Sequence, residues 1–493
     1  MDTLHPTPAS DSPIDASKHL ASAAGEPPTG LSKSLHETWL DHLTLLLHAA
    51  AGVEHELMVQ YLYAAYSLGG DQVPAKQRHL VRLWRRNILA VAKEEMGHFL
   101  TVQNILTVLG APLLWGRGNY PWDNQYFPLR RFEFSPLTME SLSCYVYAEA
   151  PANTAAVADH YYGIKRAEVK RIIKKVREAV LKGSPHRVEQ LYGKIVSIIK
   201  NPALIPDSAF HPETYSLQAS WEEWGKGYKP YAPDPVSLPL AAIGPSVPMA
   251  RLRTPPTEIQ ARVILSQVGS RTEVLEALKL IGEQGESPDV GIQDENQPSH
   301  FDRFIAIYQK FEKIETKWRP TRLVPNNPTT WTDRPDSTYI ESKHSRDWAH
   351  LFNLRYRMLL TYLSHNYRLP PASDSTQPQM RAGTLHRVFS EMYNLRAIAN
   401  ILVRLPLANE NDPRRAGPPF ELPYTLALPA AEDDCWRLHR ELLVNSGILA
   451  GRLLPDAPVE GKQYLAALRD LDRQSIAWLD AVLQPGSTRG SKS

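Results

Sequence analysis

The chain has 493 residues, 43% hydrophobic and 22% charged, with 55 Lys+Arg against 53 Asp+Glu for a formal net charge of +2. That describes a globular protein with ample core rather than a disordered or collagen-like one, and the near-neutral balance argues against nucleic acid or an anionic membrane as partner. Two cysteines, Cys144 and Cys435, exclude a disulfide scaffold and a Cys-rich zinc module and fit a reducing cytoplasm.

Residues 1–33 are rich in Ser, Ala, Pro, Thr and Asp without apolar periodicity and read as a disordered leader. No Lys or Arg precedes Lys18 and no apolar h-region follows, so no secretory signal is expected. The longest apolar stretches, such as Leu43 to Leu47, fall far short of the roughly 20 residues that span a bilayer. The expectation is a cytoplasmic protein.

Order begins at Ser34, where Ser34 and Glu37 make a capping box. A long helix follows to Leu68 and stops at Gly69-Gly70. Pro74 opens a second, which ends at Gly110 with Pro112 beyond. The aromatic, Pro-containing stretch 111–135 reads as a loop over the bundle. A shorter helix spans about Thr138 to Glu149, stopped by Pro151. Residues 156–200 read as helical and basic, and the run at 165–175 as a solvated helix face. Pro and Gly dominate 202–256, helical periodicity returns at 257–284 with a capping box at Ser270 and Glu273, and another helix runs from His300 to about Lys317. A Pro/Thr/Asn stretch at 319–335 precedes helical segments near 340–366, 382–404, 430–453 and 460–483. Period-2 alternation is nearly absent, so the class is mainly α: a leader, a helical bundle over 34–318 and a C-terminal helical region over 336–485.

Certain acids and histidines fall inside the apolar stripes. In the first helix Leu43, Leu47, Ala50, Glu54, Leu57, Tyr61, Ala64 and Leu68 recur at steps of 3 or 4, with Glu54 the only charge among them. Glu56 falls with Gly52, Gln60 and Tyr63 on a more polar side. The second helix has Ile88, Val91, Glu95, His98, Val102, Ile105 and Leu109, so Glu95 and His98 form a Glu-x-x-His pair. The third ends its stripe on Glu149, and the later one begins His300, Phe304, Ile307. A carboxylate on a core face is costly unless it is compensated. An Arg or Lys partner, or a position at the rim, would compensate any one of them. Four helices each bringing an acid or His to an apolar stripe point instead to a metal centre, because inward Glu residues with Glu-x-x-His are how four-helix carboxylate proteins hold two metals. Oxygen donors with imidazoles suit Fe or Mn, and the absence of thiolates argues against an Fe–S cluster.

The segment Val53 to Leu68 (Val-Glu-His-Glu-Leu-Met-Val-Gln-Tyr-Leu-Tyr-Ala-Ala-Tyr-Ser-Leu) resembles the ferritin-like domains of the iminophenyl-pyruvate dimer synthase family of violacein-type bisindole biosynthesis proteins. Glu94-Glu95-Met96-Gly97-His98, Tyr147-Ala-Glu149-Ala-Pro151, Glu283-Gln-Gly-Glu286, Ser299-His300-Phe301-Asp302-Arg303-Phe304 and Ala416-Gly-Pro-Pro-Phe-Glu421 continue the likeness in order, over about 35–425. The resemblance implies a ferritin-like four-helix bundle with a metal site whose ligand candidates are Glu54, Glu95, His98, Glu149, Glu286 and His300. A second Glu-x-x-His is missing, so a single ion stays open beside two, and Glu283 stays an alternative to Glu286.

The expected function is a non-haem, O2-using oxidoreductase with two Fe ions, acting on a small amino-acid-derived or aromatic metabolite in biosynthesis. Glu54, Glu95 and His98 would be its catalytic core, and Mn or a single ion is the alternative loading. An imine dimer synthase with a structural or Lewis-acid metal, and a non-catalytic partner protein, are the rival readings. Expected partners are the small substrate and O2, with no nucleic acid and no membrane, and an oligomer is left open. His42, His48, His55 and His79 have no paired acid in their stripe and read as surface or supporting groups. Tyr61 is the best candidate if aromatics line a substrate pocket, although aromatics at helical spacing usually form core. Neither cysteine sits beside a His/acid set that would mark a nucleophile, and no glycine-rich nucleotide motif is found.

Overall fold

The computed structural model describes residues 38–122, 132–151, 164–180, 187–224, 261–286, 298–314, 317–370, 378–424 and 426–484. The leader at 1–33 and the capping box at Ser34 and Glu37 lie outside these residues. Among those described, the fold is helical, and the one sheet is a parallel pair of two-residue strands, Pro328–Thr329 and Thr338–Tyr339.

Helix α1 (Trp39–Ser67) starts at Thr38, whose hydroxyl accepts the Asp41 N–H at 3.1 Å. After a 3-10 turn at Ala75–Gln77, α2 (Arg78–Val108) packs back along α1. Helix α3 (Met139–Ala148) is opened by a capping box of Thr138 and Ser141 and closes on Glu149. The basic stretch is two helices, α4 (Arg166–Val180) and α5 (Val188–Ile199). Val169, Ile172 and Val176 of α4 are buried, while Arg171 and Lys175 reach Glu312 at 2.6 and 2.5 Å and Lys170 and Lys174 are exposed, so the charge run is an outer face. Helix α6 (Arg271–Glu286) follows an extended segment at 261–268, and α7 (His300–Glu312) starts at the Ser299/Asp302 capping box and ends earlier than expected. α7 touches α2, α3, α4 and α6, and α5 touches α1 and α6, closing a bundle around the middle of α1 and α2.

Four helices form the C-terminal part: α8 (Lys343–Asn366), α9 (Pro378–Leu402), α10 (Glu432–Leu453) and α11 (Val459–Leu483). Buried Arg355 of α8 ties them together, bonding Glu391 of α9 at 2.8 Å, Ser446 of α10 at 2.5 Å and Asp472 of α11. This part packs directly on the first: Tyr367 donates to Asn104 at 2.9 Å and Arg85 to Asn400 at 2.6 Å, across one continuous core.

That packing corrects two expectations. Glu56 is not on a polar side, and His55 is neither a surface nor a supporting group of the candidate centre. Both are fully buried. The His55 ring shares a 2.5 Å hydrogen bond with Tyr356 of α8, and Tyr120 donates to the Glu56 carbonyl at 2.6 Å. A helix enclosed on all sides has no polar face, so periodicity distinguishes its faces without telling which is wet. His79 is exposed, and His48 donates to the Pro112 carbonyl at 2.7 Å. No helix among the described residues is long and apolar enough to cross a membrane.

Candidate metal centre

Glu54 lies midway along α1, and Glu95 and His98 lie one turn apart on α2. Glu149 caps the end of α3, and His300 is the first residue of α7. All five are buried, and they converge. His98 Nδ1 is 2.9 Å from Glu95 Oε2 and 3.5 Å from Glu54 Oε2. His300 Nδ1 is 2.9 Å from Glu95 Oε1 and 3.7 Å from Glu149 Oε2. The donors therefore fall into two groups, Glu54–Glu95–His98 and Glu95–Glu149–His300, each within 4.8 Å and each able to hold an ion, with Glu95 common to both. A carboxylate with one oxygen toward each group has the position of a bridge.

The donor set fits metal on its own chemistry. Glu95 Oε1 and His300 Nδ1 face each other at 2.9 Å as a fully buried pair, and neither atom has a well-aligned hydrogen bond. Buried polar atoms are rarely left so. Donor atoms this close, with His300 Nδ1 also 3.7 Å from Glu149, are spaced as ligands of one ion would be.

The outer edges of the donors are held in turn. His98 Nε2 meets Gln284 Oε1 at 3.0 Å, and Gln284 donates to the Arg262 carbonyl at 2.6 Å. His300 Nε2 meets Glu94 Oε2 at 3.0 Å, and Glu94 accepts from Arg303 at 2.8 and 3.0 Å and from the Arg262 N–H at 2.7 Å. Imidazoles whose far nitrogen is bound to a carboxylate or amide are fixed in ring orientation and tautomer, the usual support of a histidine ligand. Tyr61 donates to Glu149 Oε1 at 2.5 Å and Tyr192 to Glu54 Oε1. Gly97 makes this possible. A Cβ there would stand 2.3 Å from the Ile264 carbonyl, so only glycine lets segment 261–268 cross α2 between Glu95 and His98.

Electrostatics split the carboxylates. Burial and then the charge of Glu95 push Glu54 up to about 7, and the same two causes raise Glu149. Burial opposes ionisation of Glu95 too, but His300 and His98 beside it carry it well below the usual carboxylate range. Burial works against charging His98, yet its hydrogen bonds to Glu54 and Glu95 push it up to about 10; His300 is raised as well. Without an ion, the site supplies its own positive charge by protonating its imidazoles.

Of the six residues anticipated as ligands, five meet here. Glu286 is the last residue of α6 and its side chain lies outside the described residues. Its neighbour Gly285 is close, since a Cβ there would be 3.3 Å from Glu149 Oε2. Glu283 pairs with Lys279 at 3.5 Å on the half-exposed side of α6, away from the centre. Tyr61 is a carboxylate partner rather than an open aromatic wall. Glu94, Gln284 and Arg303 were not singled out as supports. Their signal in the sequence is only adjacency to the ligand motifs. Against expectation, Cys435 does sit beside an acid and a histidine, Glu432 and His365.

A ferritin-like family model matches residues 47–216. Over 468 residues, 87% of this chain and 41% of the relative, the chain is 24% identical to dichlorochromopyrrolate synthase of Lentzea aerocolonigenes. Over 184 residues, 30% of this chain and 18% of the relative, it is 29% identical to 2-imino-3-(indol-3-yl)propanoate dimerase of Chromobacterium violaceum. The chain thus spans less than half the length of the curated relatives it matches. No solved structure matches it significantly.

Proposed function

We propose that this chain, built on a ferritin-like domain, is a metabolite-modifying enzyme whose centre holds two iron ions and uses O2 to oxidise a small amino-acid-derived or aromatic metabolite. The observation that carries the reading is Glu95, shared between two donor groups that each add one carboxylate and one imidazole. Bound there, a pair of redox ions supplies O2 activation.

The chain's own residues do the rest. Glu54 with His98 and Glu149 with His300 would hold the two ions, and Glu95 would be a ligand common to both. Burial and the adjoining carboxylates raise the Tyr61 and Tyr192 hydroxyls, so both stay protonated and fix the carboxylates they donate to. Val91, Val102, Ile88 and Phe304, all fully buried, exclude bulk water. A cleft lined by Leu57, Gln60, Glu140, Tyr145, Tyr147 and Ala148 adjoins the centre's neighbours: Leu57 is one turn from Glu54, Ala148 precedes Glu149, and Tyr145 packs edge-on against Tyr61 at 5.0 Å. Its aromatic lining suits an indole or phenyl side chain, and it is where such a substrate would approach.

The name of the Chromobacterium violaceum relative, a 2-imino-acid dimerase, favours a second reading, in which 2-imino acids are coupled; the metal would then be structural or a Lewis acid. One experiment separates the two. Iron-loaded protein is given an aromatic 2-imino acid, generated in situ, with and without O2. The oxidase reading expects O2 uptake tied to substrate loss and no product under argon. Product under argon at the aerobic rate would favour coupling without O2.

A further inference from the structure

The C-terminal helices carry a second cluster of metal-type donors, remote from the acid-rich centre and unused by it. Glu432, Cys435 and His439 stand at i, i+3 and i+7 on α10 and share one face. That face meets His365 near the end of α8. A ring nitrogen of His365, a carboxylate oxygen of Glu432 and the sulfur of Cys435 lie within 4.8 Å of one another. His365 Nε2 is the edge turned to Glu432, at 2.9 Å, because its Nδ1 meets His439 Nε2 at 2.8 Å. Donors on one tetrahedral zinc stand about 3.4–3.6 Å apart, so small rotations would seat all three on an ion.

We propose that His365, Glu432 and Cys435 form a further metal site, for one Zn2+-type ion, that clips α10 to α8.

Imidazole, thiolate and carboxylate together are a set that a borderline ion takes and that Mg2+ or Ca2+ does not. His439 is the supporting group. Its Nε2 meets His365 Nδ1 at 2.8 Å, which fixes the His365 ring and leaves that ring's Nε2 as the edge toward Glu432 and Cys435. The thiol donates to the Pro429 carbonyl at 3.4 Å, a weak bond that loss of its proton to an ion would release. His365 is fully buried whereas the Glu432 side chain is 41% exposed, which leaves a path for the ion and a fourth position for water. Trp436, 4.3 Å from the His365 ring, walls the inner side.

The test uses cobalt as the probe. Full-length protein stripped with chelator is titrated with Co2+ and followed in the near ultraviolet for a thiolate-to-cobalt charge-transfer band. The acid-rich centre has no cysteine among its candidate ligands, so the band reports this cluster alone. We expect the band to saturate at the intensity of one thiolate–cobalt site per chain, to bleach with Zn2+, to persist in Cys144→Ser and to vanish in Cys435→Ser. No band in the wild-type protein, or a band that survives Cys435→Ser, overturns the proposal. Should Cys435→Ser not fold, Glu432→Gln decides: the half-exposed substitution is expected to weaken Co2+ binding at least about tenfold, and unchanged affinity overturns the site.

Discussion

Glu94 and Glu95, neighbours in sequence, hold opposite edges of one imidazole: Glu94 takes His300 Nε2 at 3.0 Å and Glu95 faces its Nδ1 at 2.9 Å. One acid is turned to the centre and the other to Arg303 behind it. The division of labour is set by what covers α2, because successive helical positions point about 100° apart.

Glu94→Gln should therefore lower metal affinity about 10- to 100-fold without removing a ligand. Competition against a chelator of known affinity measures it. Unchanged affinity would mean that the ring needs no support from Glu94. The alanine variant is the wrong probe, since it also removes the oxygen that accepts from Arg303 and the Arg262 N–H and so leaves buried donors unpaired.

Glu54→Ala should remove metal from at least one position, because Glu54 carries one of the two donor groups. Glu56→Ala should keep metal occupancy but change the melting temperature, since its carboxylate is buried, raised to about 7 by burial, and faces Arg117 rather than the centre. Metal analysis with thermal melts separates the two. Equal metal loss in both variants would contradict the distinction.

Gly97→Ala should destabilise by about 1–3 kcal/mol, the usual cost of forcing atoms into a filled space. The new Cβ meets backbone, the Ile264 carbonyl, as well as Val263 Cγ1 at 2.8 Å, so segment 261–268 must move. Arg262 on that segment positions Glu94 and Gln284, and metal occupancy should fall with stability. Denaturant melts of metal-free protein give the first effect and metal content the second.

Metal-free protein should lose stability as pH rises. Glu54 in the folded chain sits at about 7 against an ordinary 4.5, so between those values the folded state binds the extra proton. Its contribution is present below pH 4.5 and lost as pH rises through about 7. His98, raised from 6.5 to about 10, acts in the same direction at higher pH. Bound ions need these groups deprotonated, so the stabilisation from added iron should grow over the same range. Calorimetry from about pH 5 to 8, with and without iron, should show the two melting curves diverging. A metal-free melting temperature that climbs with pH would count against clustered carboxylates.

Glu54, Glu95, His98, Glu149 and His300 could be read from sequence because each interrupts an apolar stripe at a step of 3 or 4. A single charge on a core face is visible wherever the helix has a core face. What surrounds them was not legible. Glu94 is buried only because α7 and segment 261–268 cover that side of α2, and Gln284 reaches His98 from 186 residues away. His55 and Glu56 were misplaced for the same reason: α8 covers α1, and contacts over that distance leave no periodic trace. Gly97 was visible as a letter in a motif, but the chain that crosses it was not.

The two donor groups enclose very different lengths of chain. Glu54, Glu95 and His98 belong to one helical hairpin, whereas Glu149 and His300 must be brought to Glu95 from α3 and from the far end of the bundle. Closing the longer loop costs more entropy and comes later. An ion at the hairpin position would therefore reward a local pairing, and an ion at the other would reward only the finished bundle. Donors nearly symmetric in space are thus unequal in the chain they enclose, and partial unfolding from α7 would take His300 from Glu95 while leaving the hairpin group assembled.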